Sequence, residues 1–203
     1  MDKIFDYLKT IFNKNGFRLY MIGSTSRDYL LNKEIKDYDF VTDAKPAEII
    51  KFLDCDQTFS KFGCVKYKYE NNSIDIVTLR KESNYKDSRH PEKIEFIKDI
   101  KEDYKRRDLT INAIYIDENY EILDISKEGY QDLLNRKLKF IGNPEKRIEE
   151  DPLRILRAKR FAIEYNLEVE DNLVKLFNEK SYLLEKLNKD KIKEEERKLE
   201  KVR

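Results

Sequence analysis

The chain has 203 residues, enough for one well-buried core with a helical extension, and no apolar run approaches the length needed to cross a bilayer. Charged side chains make up 41% of it, but 42 basic groups stand against 41 acidic ones, so no bulk positive charge draws in a polyanion. Any binding of nucleic acid must come from a local basic face.

Apolar positions Ile4, Phe5, Leu8, Ile11 and Phe12 recur at helical spacing and Asn15-Gly16 supplies a stop, so an amphipathic helix comes first. The acids within it are unlike a signal peptide, and the protein is expected to be cytoplasmic. Residues 17–22 read as a short strand, Gly23-Ser24 as a turn, and residues 26–31 as the start of a helix. Acid and apolar residues alternate over 37–41, which is strand periodicity, and Pro46 opens a helix through Leu53. Residues 64–69 and 74–79 alternate across Glu70-Asn71-Asn72-Ser73 like a hairpin. Cys55 and Cys64, with the lone histidine His90, are too few for a zinc site and read as small buried hydrophobes rather than a disulfide. From Lys105 onward helices surround one more short strand at 113–116, with breaks at Gly129 and Gly142-Asn143-Pro144. Residues 189–203 are a charge run without aromatics, read as a solvated or frayed helix.

The chemistry starts at Asp37-Tyr38-Asp39-Phe40. Residues two apart on a strand share a face, so both carboxylates converge while Tyr38 and Phe40 pack behind them. Adjacent carboxylates repel unless a cation neutralises them, and hard oxygen ligands completed by substrate phosphates suit Mg²⁺. Asp75, set among Ile74, Ile76 and Val77, is a candidate third ligand, though a solvent-facing strand residue is the plainer alternative. Three carboxylates on adjacent strands would position two metals about 3.5–4 Å apart. The backbone N–H groups of Gly23-Ser24, between a strand and a helix, can hold phosphates beside these acids.

These residues carry a resemblance. The stretch Ile22-Gly23-Ser24-Thr25-Ser26-Arg27-Asp28-Tyr29-Leu30-Leu31, followed by Lys36-Asp37-Tyr38-Asp39-Phe40-Val41-Thr42-Asp43-Ala44-Lys45-Pro46, resembles the first signature of class II CCA-adding tRNA nucleotidyltransferases and bacterial poly(A) polymerases. Asp87-Ser88-Arg89-His90-Pro91, Glu102-Asp103 and Arg106-Arg107-Asp108-Leu109-Thr110-Ile111-Asn112-Ala113 resemble the segment that ends in that family's Arg-Arg-Asp motif. Glu150-Asp151-Pro152-Leu153-Arg154-Ile155-Leu156-Arg157-Ala158-Lys159-Arg160-Phe161 is similar to its base-selecting motif. The blocks follow the family's order over most of the chain. The resemblance implies an α+β fold: a polymerase β-type nucleotidyltransferase head with a small mixed or antiparallel sheet and flanking helices over residues 1–140, then an all-helical neck over 141–203 that recognises the nucleobase. Two departures stand out, since the family usually has glycine where Ser24 stands and an apolar residue where Ser26 stands. Members also continue through body and tail helical domains, so the chain is either a fragment or an unusually small enzyme.

Each motif has a role and a plainer alternative. By resemblance Arg27 reaches the triphosphate beside Ser24; otherwise it is a surface arginine. Asp108 and Asn112, four apart, share a face if their segment is helical and can read ribose hydroxyls while Arg107 holds phosphate. Alternatively Asp108 caps a helix and pairs with Arg106. At Asp151 and Arg154 a carboxylate can accept the exocyclic amine of C or A while a guanidinium donates to the adjacent ring nitrogen, whereas G and U present the opposite groups. Asp151 also suits an N-cap before Pro152. Arg157 and Arg160 continue the spacing and by resemblance face the nucleotide or its phosphates; a basic helix surface is the alternative. His90 is assigned no role.

The expectation is Mg²⁺-dependent transfer of a nucleoside monophosphate from CTP or ATP to an RNA 3′ hydroxyl, most simply a tRNA end, with no membrane partner. A poly(A) polymerase or an enzyme adding only C or only A shares these motifs. A catalytically silent RNA-binding remnant is the rival of another class, opposed by the intact acids and arginines.

Overall fold

A computed structural model describes residues 1–85 and 91–202, with backbone alone at 84, 85, 91 and 92. Asp87, Ser88, Arg89 and His90 lie outside the described residues. The chain forms two units. The first takes Met1–Glu82, Ile94–Arg106 and Asn112–Ile125; the second takes Ser83–Lys93, Arg107–Ile111 and Ser126–Arg203.

In the first unit, helix α1 (Lys3–Lys14) is capped by the Asp2 carboxylate, which accepts the Phe5 N–H at 2.8 Å, and ends at Asn15 as its spacing predicts. Strand β1 (Leu19–Met21) leads into α2 (Gly23–Leu30), β2 (Tyr38–Thr42) and a short α3 (Pro46–Ile49). A hairpin follows, β3 (Cys64–Tyr69) with β4 (Asn72–Thr78). Next come β5 (Arg80–Tyr85) and β6 (Pro91–Phe96), a separate two-stranded sheet whose residues 83–85 and 91–93 belong to the second unit, and then, in the first unit, α4 (Ile100–Asp103), β7 (Ile114–Ile116) and β8 (Ile122–Asp124). The main sheet runs β3-β4-β2-β1-β7-β8. Among the described residues of this sheet, β2 and β4 pair in parallel and the other neighbours antiparallel, so the sheet is mixed.

Period-two alternation sends neighbouring residues of β2 and β4 to opposite faces. Tyr38, Phe40, Ile74 and Ile76 enter the larger core with Phe5, Leu8 and Phe12 of α1. Val41 joins Tyr20, Ile22, Leu79 and Tyr115 in a smaller core, with Val77 packed against it. Phe5 stacks on Phe40 with ring centroids 5.6 Å apart. Cys55 and Cys64 are half-buried free thiols, each pushed up to about 11 chiefly by burial, consistent with their reading as small hydrophobes.

Several expectations change. Gly23-Ser24 is the first turn of α2 rather than a separate turn before it, and the helix opened by Pro46 ends at Ile49, with turns continuing to Leu53. Strands β5 and β8 escaped the sequence reading because Arg80-Lys81-Glu82-Ser83 shows no apolar alternation and three residues of β8 are too few for a period.

The second unit comprises α5 (Gly129–Leu134), α6 (Pro144–Glu150), α7 (Leu153–Glu164), α8 (Asp171–Glu179) and α9 (Lys189–Lys201), with the short segment 107–111. Asn143 caps α6 through the Lys146 N–H at 3.0 Å, with Pro144 at the first helical position. The terminal charge run is the largely solvated helix expected, anchored rather than frayed. Helix α9 packs on α7, burying Glu195 and Leu199, while Ile192 packs against Leu153, Leu156 and Leu187. Positions 192, 195 and 199 share one helical face, which is enough to anchor an otherwise solvated helix. Among the described residues, no helix is long and apolar enough to cross a membrane.

Phe40 has no exposed surface in the larger core. Phe40→Ala should therefore cost about 3–5 kcal/mol of stability, read as a lower urea midpoint.

Candidate active site

The start of α2 and the start of β2 lie against each other. The Ser24 hydroxyl reaches Asp39 Oδ2 at 2.7 Å and the Asp37 carbonyl at 2.9 Å, and the Ser24 N–H donates to Asp39 Oδ2 at 3.3 Å. Gly23 makes the approach possible. Its φ is +60°, and a Cβ there would stand 2.9 Å from Asp39 Oδ2. The Thr25 hydroxyl accepts the Asp39 N–H at 2.6 Å and donates to the Asp37 carbonyl at 3.2 Å. Asp39 is half-buried; Asp37 is exposed and precedes the first residue of β2. Ser26, at a position where the resemblance implies an apolar side chain, is fully buried and places its hydroxyl on the Gly23 carbonyl at 3.2 Å.

Asp75 is the register partner of Asp39 across the parallel β2–β4 pair, so both carboxylates rise from the same side of the sheet. Lys66 on β3 holds Asp75 Oδ1 at 2.7 Å, and that carboxylate raises the lysine pKa through a hydrogen bond. No group of three or more metal-ligating side chains is gathered among the described residues. Asp37 and Asp39 carry hard carboxylate oxygens of the type a small divalent cation selects. Arg27 is not a surface residue. Its guanidinium is 2% exposed and donates from Nη1 to Asn112 Oδ1.

The second unit gathers the remaining candidates around α7. Asp108 and Asn112 do not share a helical face, because residues 107–109 are not helical. The Asp108 carbonyl accepts the Ile141 N–H at 2.9 Å, and the Thr110 N–H goes to the Lys139 carbonyl at 3.0 Å. These strand-like bonds pre-empt the helical ones, and Leu109 bridges Phe140. Asp108 pairs with Arg157 rather than Arg106, the Nε and Nη2 atoms each 2.8 Å from Oδ2. That carboxylate raises the Arg157 pKa above the usual guanidinium value, so the arginine stays charged. Arg106 instead donates from Nε to Asp103 at 2.8 Å.

At the break between α6 and α7, the Asp151 carboxylate accepts the Leu153 N–H at 3.2 Å, but α7 begins at Leu153 with Pro152 at its cap, one position later than the sequence suggested, and Asp151 closes α6. Arg154 is buried, its Nη1 donating to Glu150 at 2.9 Å and to the Arg147 carbonyl at 2.8 Å. Arg147 shares Glu150 and also donates to the Arg107 carbonyl. Arg160 pairs with Glu195 at 2.6 Å and Glu164 at 3.0 Å, and lies over the Phe161 ring 4.1 Å from its centroid. From the sequence alone, Thr25, Arg147, Glu150 and Glu195 carried no assigned role. For Glu150 the i, i+4 spacing to Arg154 was an available signal; for Thr25 and Glu195 the partners are distant in the chain.

A mixed sheet with a Gly-Ser helix start set against an acidic strand defines a nucleotidyltransferase-type head of the α+β class. The chain belongs to the poly A polymerase head domain family, whose profile matches residues 19–139. A CCA-adding enzyme of Enterococcus faecalis is 39% identical over 181 residues, covering 89% of this chain and 44% of the relative. One from Ligilactobacillus salivarius is 40% identical over 178 residues, covering 87% and 44%. Among solved structures, the Bacillus stearothermophilus CCA-adding enzyme in complex with CTP superposes with a TM-score of 0.86 at 28% identity, covering 98% of this chain and 49% of that one. The chain spans less than half the length of these curated relatives.

Two outcomes are expected. Gly23→Ala should destabilise the chain by about 1 kcal/mol or more, because Ala is strained at positive φ and its methyl displaces the Asp39 carboxylate; thermal unfolding checks this. Glu195→Ala should cost about 3–5 kcal/mol by leaving Arg160 without its buried carboxylate, measured by urea denaturation.

Proposed function

We propose that the chain is the head and neck portion of a template-independent RNA nucleotidyltransferase that adds C and A from CTP and ATP to the 3′ end of tRNA, releasing pyrophosphate. The observation that carries this reading is the Gly23-Ser24 helix start hydrogen-bonded to Asp39, which sets a phosphate-binding bend against a carboxylate pair. The relatives are named CCA-adding enzymes, and one similar structure is a tRNA nucleotidyltransferase complexed with a primer tRNA and an incoming ATP analog. Residues 1–140 form the catalytic head and 141–203 the neck that reads the base, and the protein acts in the cytoplasm.

Asp37 and Asp39 would hold Mg²⁺, and Asp75, level with Asp39 and paired with Lys66, is the candidate third ligand. The chemistry Mg²⁺ supplies when bound is neutralisation of phosphate charge and a lower pKa for the attacking hydroxyl. The RNA 3′ oxygen forms a bond to the α-phosphorus as its proton passes to solvent water, and the bond from that phosphorus to the bridging oxygen breaks with its electron pair leaving on pyrophosphate. In the first unit Gly23, Ser24 and Arg27 are the groups for phosphate oxygens and Asn112 for a ribose hydroxyl; in the second, Arg107 is the group for phosphate and Asp108 for ribose. Asp151 accepts the amine of C or A and Arg154, oriented by Glu150, donates to the ring nitrogen, so the protein itself selects the base. Arg157 and Arg160 complete the basic side of α7.

A second reading, poly(A) addition, is favoured by the description of the matching family as a poly A polymerase head. Incubating the 203-residue chain with tRNA lacking its terminal nucleotides, Mg²⁺, and each triphosphate singly and together separates the two. Addition of C, C and A is expected, lost in Asp39→Asn and on chelation of the metal. Tails of A alone favour the second reading, and silence with retained RNA binding overturns both.

A further inference from the structure

We infer that Thr25 is a positioning residue for the metal-holding pair, its hydroxyl fixing the backbone from which Asp37 and Asp39 project. This rests on the reading of those two acids as the metal ligands. Thr25 has no exposed surface. A hydroxyl has one proton to give and lone pairs to receive, and here both functions are used on the same short stretch: it gives to the Asp37 carbonyl at 3.2 Å and receives from the Asp39 N–H at 2.6 Å. Helix α2 is thereby pinned to the backbone on both sides of Tyr38.

The need for such a pin follows from the strand boundary. Sheet pairing on β2 starts at Tyr38, so the ladder does not hold the Asp37 backbone. Ser24 also reaches the Asp37 carbonyl, but its one proton serves two acceptors, that carbonyl at 2.9 Å and Asp39 Oδ2 at 2.7 Å. Whenever Ser24 donates to the carboxylate, the Thr25 hydroxyl keeps Asp37 in place. Both bonds of Thr25 go to backbone atoms, so it acts through the two acids and not on the nucleotide. Groups that orient metal ligands from behind typically change affinity or activity by about 10–100-fold when removed.

The test compares Mn²⁺ binding, followed by electron paramagnetic resonance, in the 203-residue chain and in Thr25→Val, Thr25→Ala and Thr25→Ser, with thermal unfolding of each. Thr25→Val keeps the shape and removes the O–H, and should weaken Mn²⁺ binding by about 10–100-fold while unfolding cooperatively. Thr25→Ser should restore it. Equal binding by folded Thr25→Val, or failure of serine to rescue, overturns the inference. Loss of cooperative unfolding in both the Val and Ala variants also overturns it, because the hydroxyl would then serve the fold alone. If the unmodified chain binds no Mn²⁺, the metal reading itself fails and takes this inference with it, an outcome visible before any variant is made.

Discussion

A half-buried carboxylate must be met by hydrogen-bond donors, and the first unit is organised around the contact that does this for Asp39. The start of α2 brings the Ser24 N–H and hydroxyl to Asp39, so hydrogen-bond donors meet the negative charge. The contact requires a residue without a side chain at position 23, since even a methyl would collide with the carboxylate. The rigidity of this contact comes from the strand and helix that carry it.

The sheet supplies that rigidity because both of its faces are covered. Phe40 and Ile76 are committed to one core and Val41 to the other, which fixes the facing of Asp39 between them. The parallel pairing of β2 with β4 then brings Asp75 level with Asp39. A slip of one residue in either strand would exchange buried apolar groups for acids, so the register of the carboxylates is protected by the whole hydrophobic pattern. Lys66, from the antiparallel neighbour, neutralises Asp75 at the sheet's other side of the pair.

In the second unit, basic side chains that looked like a positive surface are matched from within. Glu150 joins Arg147 to Arg154, Asp108 takes Arg157, and Glu195 takes Arg160. This accounts physically for a nearly neutral chain that carries an arginine-rich helix. The guanidinium groups are oriented by fixed carboxylates, and a guanidinium has five N–H donors, so a group anchored through some of them can still present a directed edge.

The amino-acid sequence by itself determined the local elements whose periods were long enough to register: α1 with its Asn15-Gly16 stop, the β3–β4 hairpin, and the acidic strand of β2 behind the Gly23-Ser24 bend. It also contained the ordered motifs that revealed the family. Tertiary structure alone decided that Asp108 meets Arg157 across 49 residues, that Glu195 meets Arg160 across 35, and that the charge run of α9 docks rather than frays. Helix and strand periods record only which neighbours share a face. Ion pairs between distant segments depend on how the chain returns on itself, and no local spacing encodes that path.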